Sequence, residues 1–275
     1  MKYCVDYKKD FRYLDQVDEL TVHFRRKDTS LVDFLLLHPN QRINIYIDNE
    51  EDFIENNCIE IFNAIAKNHP EIDFVLKLRD CHDSNVKYIL KIIENNKIKH
   101  RFFFSSFIRD WDSLLGIIEL HPSDVYIVEN LGFELSSIAD ILHSANIRIR
   151  VFPNIAQSSW TKTEALKKFF IRPEDVYVYE SYVDVMEFIG KEDAISTYYK
   201  IYAIDKKWFG KLNEVIIDFN DNEIDSRFIL PQFAVRRLNC GKRCYKGRPC
   251  RTCNAIEELA TVLENHNLMI KDFEK

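Results

Sequence analysis

The sequence predicts an α/β domain built as a (β/α)8 TIM-type barrel, with a C-terminal cysteine-rich, metal-binding insertion after strand eight. Three observations predict this fold. Eight strand-like segments alternate with amphipathic segments along the chain, a pattern typical of parallel α/β folds. The length of 275 residues is close to the roughly 250 residues of such barrels. No glycine-rich phosphate loop follows any predicted strand, which disfavours the alternative, a doubly wound open sheet.

The predicted elements divide one domain, residues 1–275, into a regular series. The strands are Glu19–Phe24, Arg42–Asp48, Asp73–Arg79, Arg101–Ser105, Asp124–Asn130, Arg148–Pro153, Asp175–Glu180 and Glu214–Phe219. The helices between them include Glu51–Asn68, Ser84–Asn96, Asp112–Leu120 and Leu135–Asn146. We expect residues 1–18 to form a cap or short strand before the barrel. Residues 224–254 form the cysteine-rich segment, and residues 255–275 form the final helix and tail.

The composition is typical of a globular protein, with 46% hydrophobic and 30% charged residues. No apolar run approaches the roughly 18–20 residues that span a bilayer. The first residues, MKYCVDYKKDFRY, lack the apolar core of a secretory signal. We therefore expect a cytoplasmic protein with no membrane partner.

Several predicted strands alternate polar and apolar residues, whereas strands of a parallel barrel are usually apolar on both faces. In Ile43–Asp48 the isoleucines share one face, and Asn44, Tyr46 and Asp48 share the other. We expect the apolar faces to pack on the outer helices and the polar faces to point into the barrel. Buried charges are costly unless they are paired or bound to a ligand. The interior therefore indicates a ligand site, and the alternatives are ion pairing without a ligand or a register shifted by one residue.

Barrel enzymes carry their catalytic groups at the C-terminal ends of the strands. The predicted catalytic residues there are Glu129, Glu180, Asp218 and Lys77. Each acid would suit a general base if burial raised its pKa, whereas Lys77 would suit Schiff-base formation or phosphate binding. The predicted substrate-binding residues are His23, Arg25, Asp48, Arg79, Arg150 and Asn154.

Four cysteines near the C-terminus predict a metal site. Their spacing is C-x3-C-x5-C-x2-C, at Cys240, Cys244, Cys250 and Cys253. Four thiolates suit tetrahedral zinc, and a [4Fe–4S] cluster uses the same ligand set. In a reducing compartment, clustered thiols favour metal over disulfides. We expect a structural zinc ion beside the barrel mouth, with the iron–sulfur cluster as the alternative.

The same segment is strongly basic. Residues 236–253 hold seven arginines and lysines and no acid, although the whole chain has a net charge of −6. Such a patch favours an anionic small molecule or a nucleic acid as partner. The predicted contact residues are Lys242, Arg243, Lys246 and Arg248. The alternative is that these cations neutralise the metal-bound thiolates.

Four stretches carry a resemblance to proteins that bacteriophages and Gram-positive bacteria encode. They are Arg150–Trp160, Phe169–Asp175, Trp208–Gly210 and the cysteine run. The resemblance implies a barrel with a C-terminal four-cysteine cluster, in a bacterial or phage-infected cell, and it implies no assigned activity. In outline the chain is also similar to U32 peptidase-like proteins, some of which carry iron–sulfur clusters and modify RNA. The clustered cysteines depart from the more dispersed arrangement of that family, so this likeness is an analogy of fold.

These observations favour an enzyme that acts on an anionic or nucleic-acid-linked substrate at the C-terminal barrel mouth. The reaction class does not follow from the sequence. One alternative is a non-enzymatic module that binds nucleic acid or protein through the basic zinc segment. A second alternative is an iron–sulfur enzyme of the U32-like type.

Overall fold

The computed structural model describes most of the chain. The described residues are 1–7, 10–24, 30–55, 58–80, 82–95, 101–105, 107–108, 110–127, 134–155, 170–190, 192–217, 224–229, 232–238, 254, 258–259 and 261–262. None of the helices in these ranges combines the length and hydropathy that a membrane span needs.

Nine parallel strands in the described part of the chain form one sheet. They are β1 Lys2–Asp6, β2 Glu19–Phe24, β3 Arg42–Ile47, β4 Phe74–Leu78, β5 Phe102–Phe104, β6 Phe107–Ile108, β7 Asp124–Ile127, β8 Arg148–Val151 and β9 Val185–Phe188. The spatial order is β5-β4-β3-β2-β1-β9-β8-β7-β6. Because β5 and β6 are two short pieces of one strand position, the two edges of the sheet meet. There the Ser123 N–H donates to the Phe102 carbonyl at 2.7 Å, and the sheet forms an eight-stranded, nearly closed barrel.

Helices follow most strands and cover the outside of the barrel. They are α1 Ser30–Leu37, α2 Glu50–Glu55, α3 Cys58–Asn68, α4 Ser84–Asn95, α5 Trp111–Ile118, α6 Leu135–Ser144, α7 Val176–Tyr179, α8 Glu192–Tyr199 and α9 Gln232–Leu238. The start of α5 shows how the local sequence specifies a boundary. Asp110 is the N-cap, and its side chain accepts a hydrogen bond from the Ser113 N–H at 2.8 Å, which satisfies a donor that the first turn leaves unpaired.

Two separate apolar clusters show that the strands present different faces inward and outward. The larger cluster joins strand residues such as Leu20, Ile43 and Ile45 to helix residues such as Phe62 and Ile89, so these strand faces pack on the helices. A small second cluster, separate from it, lies inside the barrel and consists of Val75, Phe103, Tyr126 and the half-buried Phe152. The expected orientation of the polar faces toward the interior is confirmed by the ion pairs described below.

Six of the eight predicted strands are confirmed in position, and the other two are wrong. Asp175–Glu180 is helical, with a 3-10 turn at Pro173–Asp175 leading into α7. Proline at the first helical position followed by two acids is a helix-start pattern, and it overrides the alternating Val and Tyr residues. Within Glu214–Phe219, Glu214 ends a 3-10 turn, and Ile217 makes an isolated bridge with Ile155.

The two strands that replace them lie at the ends of the barrel series. Lys2–Asp6, which we expected in a cap or short strand before the barrel, is β1 and pairs with both β2 and β9. Val185–Phe188, for which we predicted no strand, is β9, the last strand of the barrel. The strand count of eight is therefore right, but the identity of the first and last strands is not. In the cysteine-rich segment, residues 230–231 and 239–253 lie outside the described residues, and Cys240 comes about fifty residues after the end of β9.

Candidate active site

The lower and middle interior of the barrel holds an ion network, which we define as Glu19, Arg42, Lys77, Asp124, Arg148, Arg150 and Glu187. Arg150, on β8, is at its centre and is fully buried. Its Nε donates to Asp124 Oδ1 at 3.0 Å and its Nη1 to Glu187 Oε2 at 3.1 Å, and its Nη2 donates to Glu19. Because Arg150 pairs with carboxylates from β2, β7 and β9, it connects opposite sides of the barrel.

Arginines at the starts of two strands complete this network. Arg148 donates to Asp124 Oδ1 at 2.7 Å and lies 2.7 Å from Glu19 Oε1, and Arg42 pairs with Asp124. Burial by itself would raise the pKa values of Asp124 and Glu19, but the three arginines outweigh it and lower both. These acids are therefore held ionised, and they do not suit proton transfer near neutral pH.

Glu187, on β9, links the network to the layer above. It accepts hydrogen bonds from Lys77 Nζ at 2.8 Å and from the Tyr126 hydroxyl at 2.5 Å. Burial, and next to it the charge of Glu187, raise the pKa of Tyr126 well above its ordinary value. Cys4 lies in the same interior, and burial with the nearby Glu187 raises the pKa of its thiol to about 12. Tyr126 and Cys4 are therefore held in their protonated forms.

The mouth, defined by Asp6, His23 and Asp48 at the C-terminal ends of β1, β2 and β3, differs in being partly open. The side chain of His23 is 36% exposed. Its Nδ1 lies 3.0 and 3.1 Å from the two carboxylate oxygens of Asp48, and its Nε2 lies 3.9 Å from Asp6 Oδ2. The ring meets that of Tyr46 edge-on, with centroids 5.1 Å apart.

Two carboxylates on either side of one imidazole set its protonation. Asp6, and after it Asp48, raise the pKa of His23 above its ordinary value, against burial, which lowers it. A hydrogen bond to a carboxylate at Nδ1 also fixes the orientation of the ring and leaves Nε2 for other chemistry. The raised pKa favours the protonated ring, and His23 is therefore placed to donate a proton to a group that enters the mouth.

A third acid, Glu50, borders the mouth at the start of α2, close to Arg79, which follows β4. Glu50 is 3% exposed, and its Oε2 lies 3.6 Å from Arg79 Nη1. Its Oε1 is buried without a hydrogen-bond partner among the described residues. Burial raises the pKa of Glu50, in part offset by backbone N–H groups and by Arg79. The contact joins the start of α2 to the residue after β4, and it gives Arg79 a carboxylate partner.

Asn154 lies beyond the end of β8 on the other side of the barrel. Its Nδ2 donates to the Ile189 carbonyl at 2.7 Å, and its backbone carbonyl accepts from the Ile217 N–H at 2.7 Å. The side chain is fully buried. Asn154 therefore connects the end of β8 to the residue after β9 and to the segment that follows.

The structure places the predicted site residues in different parts of the protein. His23, Asp48 and Lys77 lie on neighbouring strands at or just below the mouth, with Arg79 on the adjoining loop, whereas Arg150 lies deeper, in the ion network. Glu180 stands apart, because it precedes the start of β9, is exposed, and pairs with Lys206 at 3.0 Å. The basis for predicting it, a position at a strand end, is wrong. The predictions for the remaining residues lie outside the described residues: Glu129, Asp218, Arg25, Cys240, Cys244, Cys250, Cys253, Lys242, Arg243, Lys246 and Arg248.

Two important acids were missed because their strands were missed. Asp6 ends β1 as Asp48 follows β3, and the alternation in Lys2–Asp6 was the available signal. Glu187 is the one polar residue of Val185–Phe188, so a search for short buried strands with an inward-facing acid would have found it.

The described residues contain no group of three or more His, Cys, Asp or Glu side chains arranged to hold a metal ion. Comparison of the chain with protein-family models, with curated proteins and with solved structures gives no match. The case for function therefore depends on the geometry of the mouth.

Proposed function

We propose that the protein is an enzyme that transfers protons to and from a polar substrate at the C-terminal barrel mouth, with His23 as the acid–base residue. The observation that carries this proposal is the position of His23 between Asp48 and Asp6, 3.0 and 3.9 Å away, at the ends of three adjacent strands. The C-terminal strand ends are where barrels of this type place catalytic groups.

Each member of this group has a distinct role. Asp48 accepts a hydrogen bond from the Nδ1–H of His23 and fixes the orientation of the ring. Nε2 and Asp6 Oδ2 are 3.9 Å apart, farther than a direct hydrogen bond allows, and a substrate hydroxyl or water molecule that approaches from the open side of the mouth contacts both. Because the raised pKa of His23 favours the imidazolium, His23 donates its Nε2 proton to a leaving group, and Asp6 accepts the proton of the attacking hydroxyl.

The substrate that we propose is anionic or linked to nucleic acid. Its support is the sequence around the mouth, because the chain continues from β1 into Lys8 and Lys9 and from β2 into Arg25–Lys27. Arg150, predicted to bind substrate, is fully ion-paired within the barrel. We therefore assign it to the ion network and keep Arg25 among the proposed contacts.

The test compares His23→Asn with a matched surface control. Phosphate esters, nucleotides and short RNAs are screened for turnover, and the pH–rate profile is recorded for each substrate that reacts. His23→Asn should lower kcat/KM by about 100-fold or more with the fold retained. His69→Asn, at an exposed helix end beside Glu71, should leave the rate unchanged. Full activity of His23→Asn would refute the proposal.

A second candidate function is nucleic-acid binding through residues 236–253, favoured by the seven basic residues and the absence of acids in that segment. We propose that Cys240, Cys244, Cys250 and Cys253 hold a structural zinc ion there, with a [4Fe–4S] cluster as the alternative. If this segment binds nucleic acid, affinity should fall steeply with salt, and replacing Lys242 and Arg243 together should reduce the salt dependence. Elemental analysis and the absorption spectrum of anaerobically purified protein decide between the two metals.

A further inference from the structure

An aromatic layer lies between the ion network and the mouth. Lys77 Nζ is 5.2 Å from the ring centroid of Tyr126, 5.5 Å from that of Tyr46 and 6.0 Å from that of Phe103. Cations within about 6 Å of aromatic faces are attracted by the ring quadrupole. Lys77 is therefore a cation held among three aromatic rings, one of which, Tyr46, also contacts His23.

The hydrogen bonds of Lys77 are incomplete. An ammonium group has three N–H donors, and Glu187 Oε1, at 2.8 Å, is the acceptor that Lys77 has among the described residues. Since the side chain is only 8% exposed, bulk water offers little compensation. Within the part of the chain that the structure describes, two donors of Lys77 have no acceptor, and they are available to a group that enters from the mouth.

The surroundings restrict what that group is. Glu187 is shared between Lys77 and Arg150, and the ion network holds four cations and three carboxylates, so an acceptor oxygen with partial negative charge suits the remaining donors of Lys77. Tyr46 is half-buried and contacts both His23 and Lys77, and the three residues are in register on β2, β3 and β4. A flat ring that carries an exocyclic oxygen fits both features, since aromatic side chains bind planar bases through their faces.

We infer that Lys77 and Tyr46 form a substrate subsite for an oxo-substituted heterocycle, the chemistry of an oxopyrimidine or oxopurine base. Lys77 donates to the exocyclic oxygen, and Tyr46 packs against the ring. This inference rests on the proposed function, since it places the base of the substrate next to His23 and the bond that reacts at the mouth.

The test is equilibrium binding, which requires no turnover. Uridine 5′-monophosphate, guanosine 5′-monophosphate and ribose 5-phosphate are titrated against the full chain by calorimetry. The nucleotides should bind with Kd values of about 1 mM or less, the upper end of usual substrate affinities, and ribose 5-phosphate should not bind. Equal binding of ribose 5-phosphate would assign the affinity to phosphate and overturn the inference, as would failure of both nucleotides to bind.

Variants of Lys77 and Tyr46 test whether the nucleotides bind at the proposed subsite. Lys77→Met and Tyr46→Leu should each weaken nucleotide binding by about tenfold or more. Lys87→Met and Tyr88→Leu, on the exposed side of α4, are the matched controls and should bind as the parent chain does. Glu187 still accepts from Tyr126 and Arg150 in Lys77→Met, so that variant should fold, and Tyr46→Leu gives an independent answer if it does not.

The binding experiment tests the subsite independently of the proposed acid–base chemistry. His23→Asn should still bind the nucleotides, because Lys77 and Tyr46 are intact. Binding by Lys77→Met and Tyr46→Leu at parental affinity would overturn the subsite, even if His23-dependent turnover of another substrate were found.

Discussion

The base and the mouth of the barrel are both lined with charged residues, but the charges are used differently. At the base, Arg150 contacts three carboxylates and is fully buried, and its partners Asp124 and Glu19 are also paired with Arg148. At the mouth, His23 is partly exposed, is held closely by Asp48 and lies farther from Asp6. Each charge at the base is paired with several buried partners, whereas His23 at the mouth is partly open to solvent, with one carboxylate at 3.0 Å and another at 3.9 Å.

The difference shows which polar residues of a barrel interior indicate chemistry. Buried charges must be paired, and breaking such a pair is costly, so a closed network is explained by its own energetics. The pairing of buried charges does not explain His23, whose imidazole has a raised pKa, one carboxylate at 3.0 Å and another at 3.9 Å. A titratable group that is partly exposed at the strand ends is therefore a better sign of function here than buried charge alone.

The largest expected effect comes from breaking the network at its centre. Arg150→Met removes a cation from Asp124, Glu19 and Glu187 together, so it should lower the free energy of unfolding by about 3–5 kcal/mol or prevent folding. Arg79→Met removes a side chain that is 54% exposed but leaves the buried Glu50 without its cation; because burial raises the pKa of Glu50, that single acid can take up a proton, and the variant should lose less stability than Arg150→Met. Urea unfolding of both variants measures the contrast.

If Arg150→Met kept nearly the stability of the parent protein, the proposed difference between the base and the mouth would be wrong. That result would mean that the interior charges compensate one another without Arg150, and that the network is free to serve a ligand. Equal losses in the two variants would show that burial does not separate the base from the mouth.

A smaller, pH-dependent effect is expected from His23. Because its pKa is raised in the folded protein, protonated His23 adds stability that is fully present below the unfolded pKa of about 6.5 and is lost as pH rises through the higher folded value. The unfolding free energies of the parent and His23→Gln should therefore differ most below about pH 6.5 and converge at alkaline pH. Urea unfolding between about pH 5.5 and pH 9 checks this.

His143 provides the control for that titration. It lies in the last turn of α6, away from the mouth, with Nε2 2.9 Å from Asp184 Oδ2. A difference between the parent and His23→Gln that grew with rising pH would contradict the arrangement of His23 between two carboxylates. The same trend in His143→Gln as in His23→Gln would mean that the effect is not specific to the mouth.

The sequence predicted the barrel because alternating strand segments recur at regular intervals, for example Arg42–Ile47. It failed at Val176–Tyr179, where β-branched and aromatic residues alternate in a helix that proline and acids begin. It also failed at β1 and β9, although β7 and β8 are no longer than these two strands, so length is not the reason. Pairing across the closed sheet, which sequence does not reveal, determines these two.

The candidate site was predictable in part for the same reason. His23 and Asp48 end well-formed strands and were found, whereas Asp6 and Glu187 lie on the strands that were missed. The sequence also placed Arg150 among substrate contacts, because inward orientation follows from alternation but depth in the barrel does not. Depth depends on the stagger of neighbouring strands, which places Arg150 beside Val185 and Tyr126.

The smallest effect should come from Glu180, which was predicted as a catalytic acid at a strand end. It is exposed, precedes β9 and pairs with Lys206 at 3.0 Å. Exposed ion pairs contribute little because solvent screens them and two flexible side chains must be ordered. Glu180→Gln should therefore change the free energy of unfolding by no more than about 0.5 kcal/mol and leave nucleotide binding unchanged. Loss of binding in this variant, with the fold intact, would place the functional site away from His23.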